Sequence, residues 1–246
     1  YFTFPRDVIE SLDFLARNAP KLKSLDHETH AGASLGGQMM EFESMLNLFS
    51  EYDISVSGKF IQRKEDLENT LRECGEGPYA MKAISKEAIH KTDSGAVRLN
   101  ISNLDEAGGV WEELWTKIPA VEGILVQKME IAKSREIIIG TKRDITFGPT
   151  ILFGLGGIFA EAIKDTALRI APISKEEALK MMQEIKGIKI LQGMRGELPV
   201  NFDLLADIIV NLSRLSLAHP EIKEIDLNPV MATATSATIV DVRVMV

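Results

Sequence analysis

An α+β fold is what this sequence predicts, with helices and hairpin-linked antiparallel strands mixed along one chain. Stretches with apolar residues at helical spacing are interspersed with stretches of period two, and they do not form a regular βαβ series. The last strands come in close succession, at 135–141 with 150–153 and at 222–228 with 238–244. The glycine run FGLGGIFAE lacks the glycine that a dinucleotide fingerprint would place at Phe159, and no GxxxxGK[ST] P-loop occurs.

Taken in order, residues 4–19 carry Val8, Leu12, Leu15 and Ala16 at helical spacing and stop at Pro20, which predicts a short helix. Residues 21–37 are polar and then glycine-rich, and read as a linker. His27 and His30 lie in it without the further partners a metal site needs. From Met39 a helical pattern runs through Phe42, Met45, Leu46 and Phe49, and residues 52–56 begin a strand. A helix is expected over 64–74. It precedes a half-buried strand over 79–84, in which alternation sets Lys82 on the same face as Ala80 and Ile84. His90 follows in a run whose Asp, Ser and Gly favour a turn. Then come a helix over 104–117, strands over 123–129, 135–141 and 150–153, helices over 174–185 and 202–218, and strands over 222–228 and 238–244.

The chain has 246 residues, enough for one large domain or two small ones. Its net charge of −8 argues against nucleic acid or an anionic membrane as the main partner, and no apolar run approaches the roughly 20 residues of a membrane span. A single cysteine, Cys74, excludes an internal disulfide and fits a reducing compartment such as the cytoplasm. Nothing around it favours a thiolate. The chain starts at Tyr1, which suggests an excerpt or a processed piece of something longer.

Three segments bear on phosphate chemistry. Lys82 on its strand offers a fixed ammonium, and His90 in a polar turn offers an imidazole that can act as a nucleophile. Gly154, Gly156 and Gly157 allow backbone N–H groups to approach an anion, although a glycine cluster equally serves a plain chain reversal. In Glu224-Ile225-Asp226-Leu227-Asn228, alternation puts Glu224, Asp226 and Asn228 on one face, and Asp241 is likewise opposed to a valine face. If 232–237 turns these strands into a hairpin, Asn228 and Asp241 present hard oxygens to one point, as Mg²⁺ with a nucleotide requires. A solvated polar stripe on an edge hairpin would give the same pattern.

In this order the segments SKEAIHKTDSGAV, VQKM, REIIIGTKRDITFGPTILFGLGGIFAE, LRIAP, LQGMRGE and EIDLNPV resemble the ATP-grasp domain of the ADP-forming acetyl-CoA synthetase family over about residues 41–246. Succinyl-CoA synthetase β subunits are similar more distantly. The resemblance implies an ATP-grasp fold of two α+β subdomains clasping a nucleotide. Residues 1–38 would form an N-terminal helix and linker, 39–120 a first subdomain with Lys82 and His90, and 121–246 a second with adenine hinge, glycine loop and metal site. It also implies a reaction in which acyl-CoA, ADP and phosphate give a carboxylic acid, CoA and ATP through phosphohistidine intermediates.

By the same resemblance His90 is the relay histidine, and Asp226 the acid that steadies its imidazole. Lys82 contacts the nucleotide phosphates, while Asn228 and Asp241 hold Mg²⁺. Val126, Gln127, Lys128 and Met129 lie against the adenine with Glu136 nearby, and Gly154, Gly156 and Gly157 cover the phosphates. Arg169 and Arg195 sit in matching motifs without a firm role. ATP or ADP is then a substrate, and the partner is a CoA-binding α subunit or fused domain in a hetero-oligomer or a fused-chain dimer. Where the family turn often reads Asp-Val-Gly-Gly-Val, this chain has Asp93-Ser94-Gly95-Ala96-Val97. The first helix resembles the connector of fused family members, although a separate β subunit with an extension fits equally. Two other readings remain open: a non-catalytic acyl-CoA-sensing module of a protein acetyltransferase, and a ligase passing acyl phosphate directly to an amine, which would not need His90.

Overall fold

Two antiparallel sheets carry the chain, and their sequences decide how each is covered. The computed structural model describes residues 38–85, 95–129, 134–157, 165–194 and 196–246. The expected N-terminal helix and linker, His90 with its turn, and Arg195 lie outside the described residues. Gly37–Val246 form one compact unit.

The first sheet has the order β1 (Lys59–Ile61), β4 (Val121–Lys128), β2 (Tyr79–Ser85), β3 (Val97–Ile101). Helices α2 (Leu67–Cys74), entered through a 3₁₀ turn at Lys64–Asp66, and α3 (Leu104–Lys117) cover one face. There Tyr79, Met81 and Ala83 of β2 and Ile124 and Val126 of β4 pack with Leu71, Trp111 and Leu114. On the opposite face Ile84 and Leu125 join a second, larger core. β2 is therefore buried along its whole length rather than half-buried as the sequence suggested, because both of its faces are covered. The helix α3 starts where the sequence placed it, since Asn103 Oδ1 accepts the Glu106 N–H at 2.9 Å.

The second sheet has the order β10 (Val242–Met245), β8 (Glu224–Ala232), β5 (Arg135–Asp144), β6 (Gly148–Leu155), β7 (Thr166–Ile170), with β9 (Ala237–Ile239) also paired to β8. Ile137, Ile139, Ile151, Phe153, Ile225 and Leu227 bury one face in the larger core, together with α6 (Phe202–Ala218). That core also takes in α1 (Phe42–Glu51), α4 (Lys175–Gln183) and α5 (Ile188–Leu191). Leu205, Ile209, Leu212 and Leu215 of α6 are fully buried, each contributing about 1.5–3 kcal/mol. The other face of this sheet carries the polar residues of β8, with Glu224 and Asp226 half-buried and Asn228 exposed.

β9 and β10 are one strand interrupted at Val240 and Asp241. Both run antiparallel to β8, with Val230 opposite Ile239 and Leu227 opposite Val242. β8 bulges at the same level: its pairing with β5 passes from Leu227–Ile139 to Val230–Ile137. The expected C-terminal hairpin is thus present, but kinked on both strands.

Several details differ from the sequence reading. Residues 52–56 do not begin a strand: Asp53 takes a φ of 55°, and the Ile54 N–H turns back to Phe49 O at 3.0 Å. That turn buries Ile54, and only Val56 makes a lone bridge, to Ile239. β1, β3, β7 and α5 were not foreseen. β4, which the sequence assigned to the second subdomain, pairs with β1 and β2 in the first sheet. Sheet membership therefore changes after Lys128, not at residue 120.

Candidate active site

Alternation on β2 and β4 decides which side chains face the other sheet. Ala80 lies opposite Gln127, and Lys82 opposite Leu125, so Lys82 and Gln127 project from the same face as Ile84. Both are nearly inaccessible, at 7% and 2%. Both are directed at the interruption in the C-terminal strand. Lys82 Nζ donates to Val240 O at 2.9 Å, and Gln127 Nε2 donates to the same oxygen at 2.9 Å. Gln127 Nε2 also meets Ser57 O at 2.9 Å and Ser57 Oγ at 2.8 Å, while its buried Oε1 has no hydrogen-bond partner.

The next residue after that shared carbonyl is Asp241. Its backbone oxygen accepts the Asn228 N–H at 3.1 Å, which sets Asn228 and Asp241 side by side, and Asp241 Oδ1 accepts the Val242 N–H at 3.0 Å. Asp226 follows on the same face of β8, because Ile225 and Leu227 enter the core. Along the hairpin, the carbonyl that takes Lys82, then the paired Asn228 and Asp241, then Asp226 therefore follow one another. Two hard oxygen donors at an accessible position suit a divalent ion completed by phosphate and water. Among the described residues no three His, Cys, Asp or Glu gather into a metal cage.

A second group lies at the end of β6. Gly156 N donates to Glu136 O at 2.8 Å, and a Cβ on Gly157 would stand 2.8 Å from Glu136 Oε2. Gly157 has a φ of 61°, so the turn needs glycine for its backbone as well as for space. Gly154 belongs to β6 itself, opposite Ile138 and Thr166, rather than to a loop. Immediately after the glycine segment, Asp165 is buried and accepts the N–H groups of Lys186 at 2.7 Å and Gly187 at 2.5 Å.

The hinge residues divide between the two sides of β4. Val126 has its side chain in the helix-covered core, turned away from Lys82, so only its backbone lies between the strands. Lys128 is exposed, and Met129 N donates to Pro78 O at 2.8 Å. Arg169 sits on the covered side of β7, donating from Nε to Glu177 Oε1 at 2.7 Å and from Nη2 to Glu184 Oε1 at 2.6 Å. Burial lowers its pKa, but the hydrogen bonds to Glu184 and Glu177 outweigh that and raise it. It clamps β7 to α4 and the residue that follows it. His219, the only histidine among the described residues, contacts Tyr52 Oη at 3.1 Å and Glu221 Oε1 at 2.9 Å. Burial pushes the Cys74 thiol up, consistent with an unreactive side chain.

Sequence reasoning found the row on β8 from alternation alone. It missed the side-chain role of Gln127 and the anchoring by Asp165, for which spacing carries no signal. It also passed over Arg243, although alternation places that residue on the face of Asp241.

This arrangement defines a nucleotide-clasping α+β protein, with a strand lysine facing an Asn–Asp pair across two sheets. Residues 33–246 match the ATP-grasp domain family. The chain belongs to that family, on the branch of the ADP-forming acetate–CoA ligases. It is 44% identical over 202 residues to the β subunit of acetate–CoA ligase [ADP-forming] I of Pyrococcus furiosus, covering 79% of this chain and 86% of that one. It is 40% identical over 215 residues to acetate–CoA ligase [ADP-forming] I of Archaeoglobus fulgidus, covering 85% of this chain but 31% of that protein. The chain thus spans about a third of that relative's length. Among solved structures it resembles the dinucleotide-forming acetyl-coenzyme A synthetase 1 of Ca. Korarchaeum cryptofilum, solved with coenzyme A and Mg-AMPPCP and with its phosphohistidine segment pointing towards the nucleotide-binding site. The TM-score is 0.73 at 33% identity, over 85% of this chain and 93% of that one.

Proposed function

We propose that this chain is the nucleotide-binding part of an ADP-forming acyl-CoA ligase, which passes a phosphoryl group between ADP and a CoA-binding partner through His90. The observation that carries the reading is the convergence of Lys82 on Val240 O, next to Asn228 and Asp241. On this reading a cation for phosphates stands beside two oxygen ligands for their metal. The relatives named for the ADP-forming reaction support the same conclusion. So does the bound Mg-AMPPCP of the Korarchaeum enzyme.

Phosphoryl transfer asks a protein mainly for alignment and charge neutralisation. Lys82 binds phosphate oxygens. Asn228 and Asp241 hold Mg²⁺, which when bound neutralises charge on the phosphates. The backbone around Val126 to Met129, with Glu136, borders the adenine, and the turn at Gly156 and Gly157 closes over the phosphates. His90 attacks with one ring nitrogen, while a carboxylate, Asp226 or Asp93, accepts a hydrogen bond from the other and fixes the tautomer. In the direction from ATP the bond from phosphorus to the β-phosphate oxygen breaks, its electron pair leaves with ADP, and a bond to the imidazole nitrogen forms. In the other direction ADP receives the phosphoryl group from His90. The acid and CoA are bound by the partner, a separate subunit or a fused domain, in the cytoplasm.

The test is incubation of the purified chain with Mg²⁺ and γ-labelled ATP, followed by mapping of the label. The expected result is an acid-labile, base-stable label on the His90 peptide that disappears in His90→Ala while nucleotide still binds. No label despite nucleotide binding, with and without a CoA-binding partner, would exclude the relay.

A further inference from the structure

The row of polar side chains on the C-terminal hairpin has one further member not used above. Arg243 lies directly opposite Asp226 in the β8–β10 register, and Val242 and Val244 on either side of it enter the core. Residues opposite one another in an antiparallel pair share a face. Arg243 therefore stands on the accessible face, one step beyond Asn228 and Asp241. At about 3.3 Å per residue that step is roughly 7 Å.

The surroundings of Arg243 leave it able to take an anion. Its ion-pair partner is Glu224, with Nη2 to Oε1 at 3.7 Å, which is outside hydrogen-bond reach. The guanidinium is about a quarter accessible, and it has five donors in a rigid fork. On the other side of Asp226, the paired residue on β5 is Gly140, which carries no side chain of its own. One cation, the two carboxylates of Glu224 and Asp226 and a strand position without a side chain thus adjoin the proposed metal ligands, on the side away from Lys82.

We infer that Arg243 binds the terminal phosphoryl group, the one transferred, whereas Lys82 serves the phosphates that remain with the nucleoside. The inference rests on the nucleotide-binding reading above, and it assigns a direction along the hairpin: Lys82 first, then the metal ligands, then Arg243. Glu224 limits the side-chain freedom of the guanidinium without occupying its donors. The alternative is a purely structural ion pair that steadies the end of the hairpin.

The two roles differ in what they do to ATP relative to ADP. The experiment is titration of the full chain with Mg-ATP and with Mg-ADP, for wild type, Arg243→Gln and Arg243→Lys, with melting curves for each. A phosphoryl-binding arginine predicts that Arg243→Gln weakens ATP by about tenfold to a hundredfold, the range for a hydrogen bond to a charged group, and leaves ADP within about threefold. Arg243→Lys should recover part of the ATP affinity, because it keeps the charge and loses the fork. Equal changes for both nucleotides, or a lowered melting temperature with neither affinity changed, would overturn the inference. Should Arg243→Gln refuse to fold, Arg243→Lys alone decides by the same ATP-to-ADP comparison. A selective loss of ATP binding in a chain that takes no label from ATP would keep Arg243 and discard the His90 relay, so the two ideas fail separately.

Discussion

In the first sheet β2 is buried at every one of its seven positions, whereas β8 in the second sheet alternates core and accessible residues from Glu224 to Asn228. The polar residues of the two sheets are consequently under different constraints. Lys82 and Gln127 lie where little water reaches them, and the structure gives Lys82 Nζ and Gln127 Nε2 a fixed backbone oxygen from the other sheet. Asn228, by contrast, is exposed and can be satisfied by whatever enters. A polar residue in a strand covered on both faces is held by partners within the protein, whereas one in a strand covered on one face can stay accessible.

Replacing the buried cation is the most severe way to break this contrast. Lys82→Met should reduce labelling from ATP by roughly 10²–10³-fold, the loss seen when one pre-organised charged donor is removed. The fold should persist, since Gln127 still donates to Val240 O. A collapse of the melting transition in this variant would instead make Lys82 a structural residue. On the accessible side, Asp241→Asn should raise the Mg²⁺ concentration needed for nucleotide binding by about 10–100-fold, measured by titrating the metal at fixed ATP. An unchanged metal requirement would remove Asp241 from the ligand set.

The covered side of the second sheet should respond in stability rather than in binding. Arg169→Ala removes the guanidinium that binds Glu177 and Glu184 and should cost about 2 kcal/mol, less than for a fully buried pair because both carboxylates reach solvent. Thermal denaturation should show a drop of about 4–8 °C for a chain of this size. The smallest effect is expected at Glu113. Hydrogen bonds from Arg98 and Lys117 hold its carboxyl well below the usual range, at about 2. A depressed carboxyl stabilises the fold above its unfolded pKa of 4.5 and loses that contribution as pH falls to about 2. The stability difference between wild type and Glu113→Gln should therefore be present at neutral pH and fade across that acid window.

Much of the fold was legible because some elements declare themselves locally. Helix α6 was read to the residue: Asn201 caps it, with Oδ1 accepting the Leu204 N–H at 3.1 Å, and its apolar stripe is long. Short edge strands were not legible. β3 and β7, five residues each, are defined by their neighbours β2 and β6 rather than by their own pattern. In the site, alternation located the metal-ligand candidates, whereas the contact between Lys82 and Val240 spans 158 residues and leaves no local trace. Val126 shows the limit from the other side, since a matching motif does not say which face a side chain takes.

If Lys82 binds phosphate as proposed, Val240 O, which accepts from both Lys82 and Gln127, can give up the ammonium at little cost. A buried carbonyl with a single donor would be stranded when that donor turned to a phosphate, at a cost of about 1–3 kcal/mol. Here the amide stays behind and keeps the oxygen occupied. On the proposed function, the backbone thereby holds the lysine straight until a phosphate takes it, and the oxygen it leaves is not stranded.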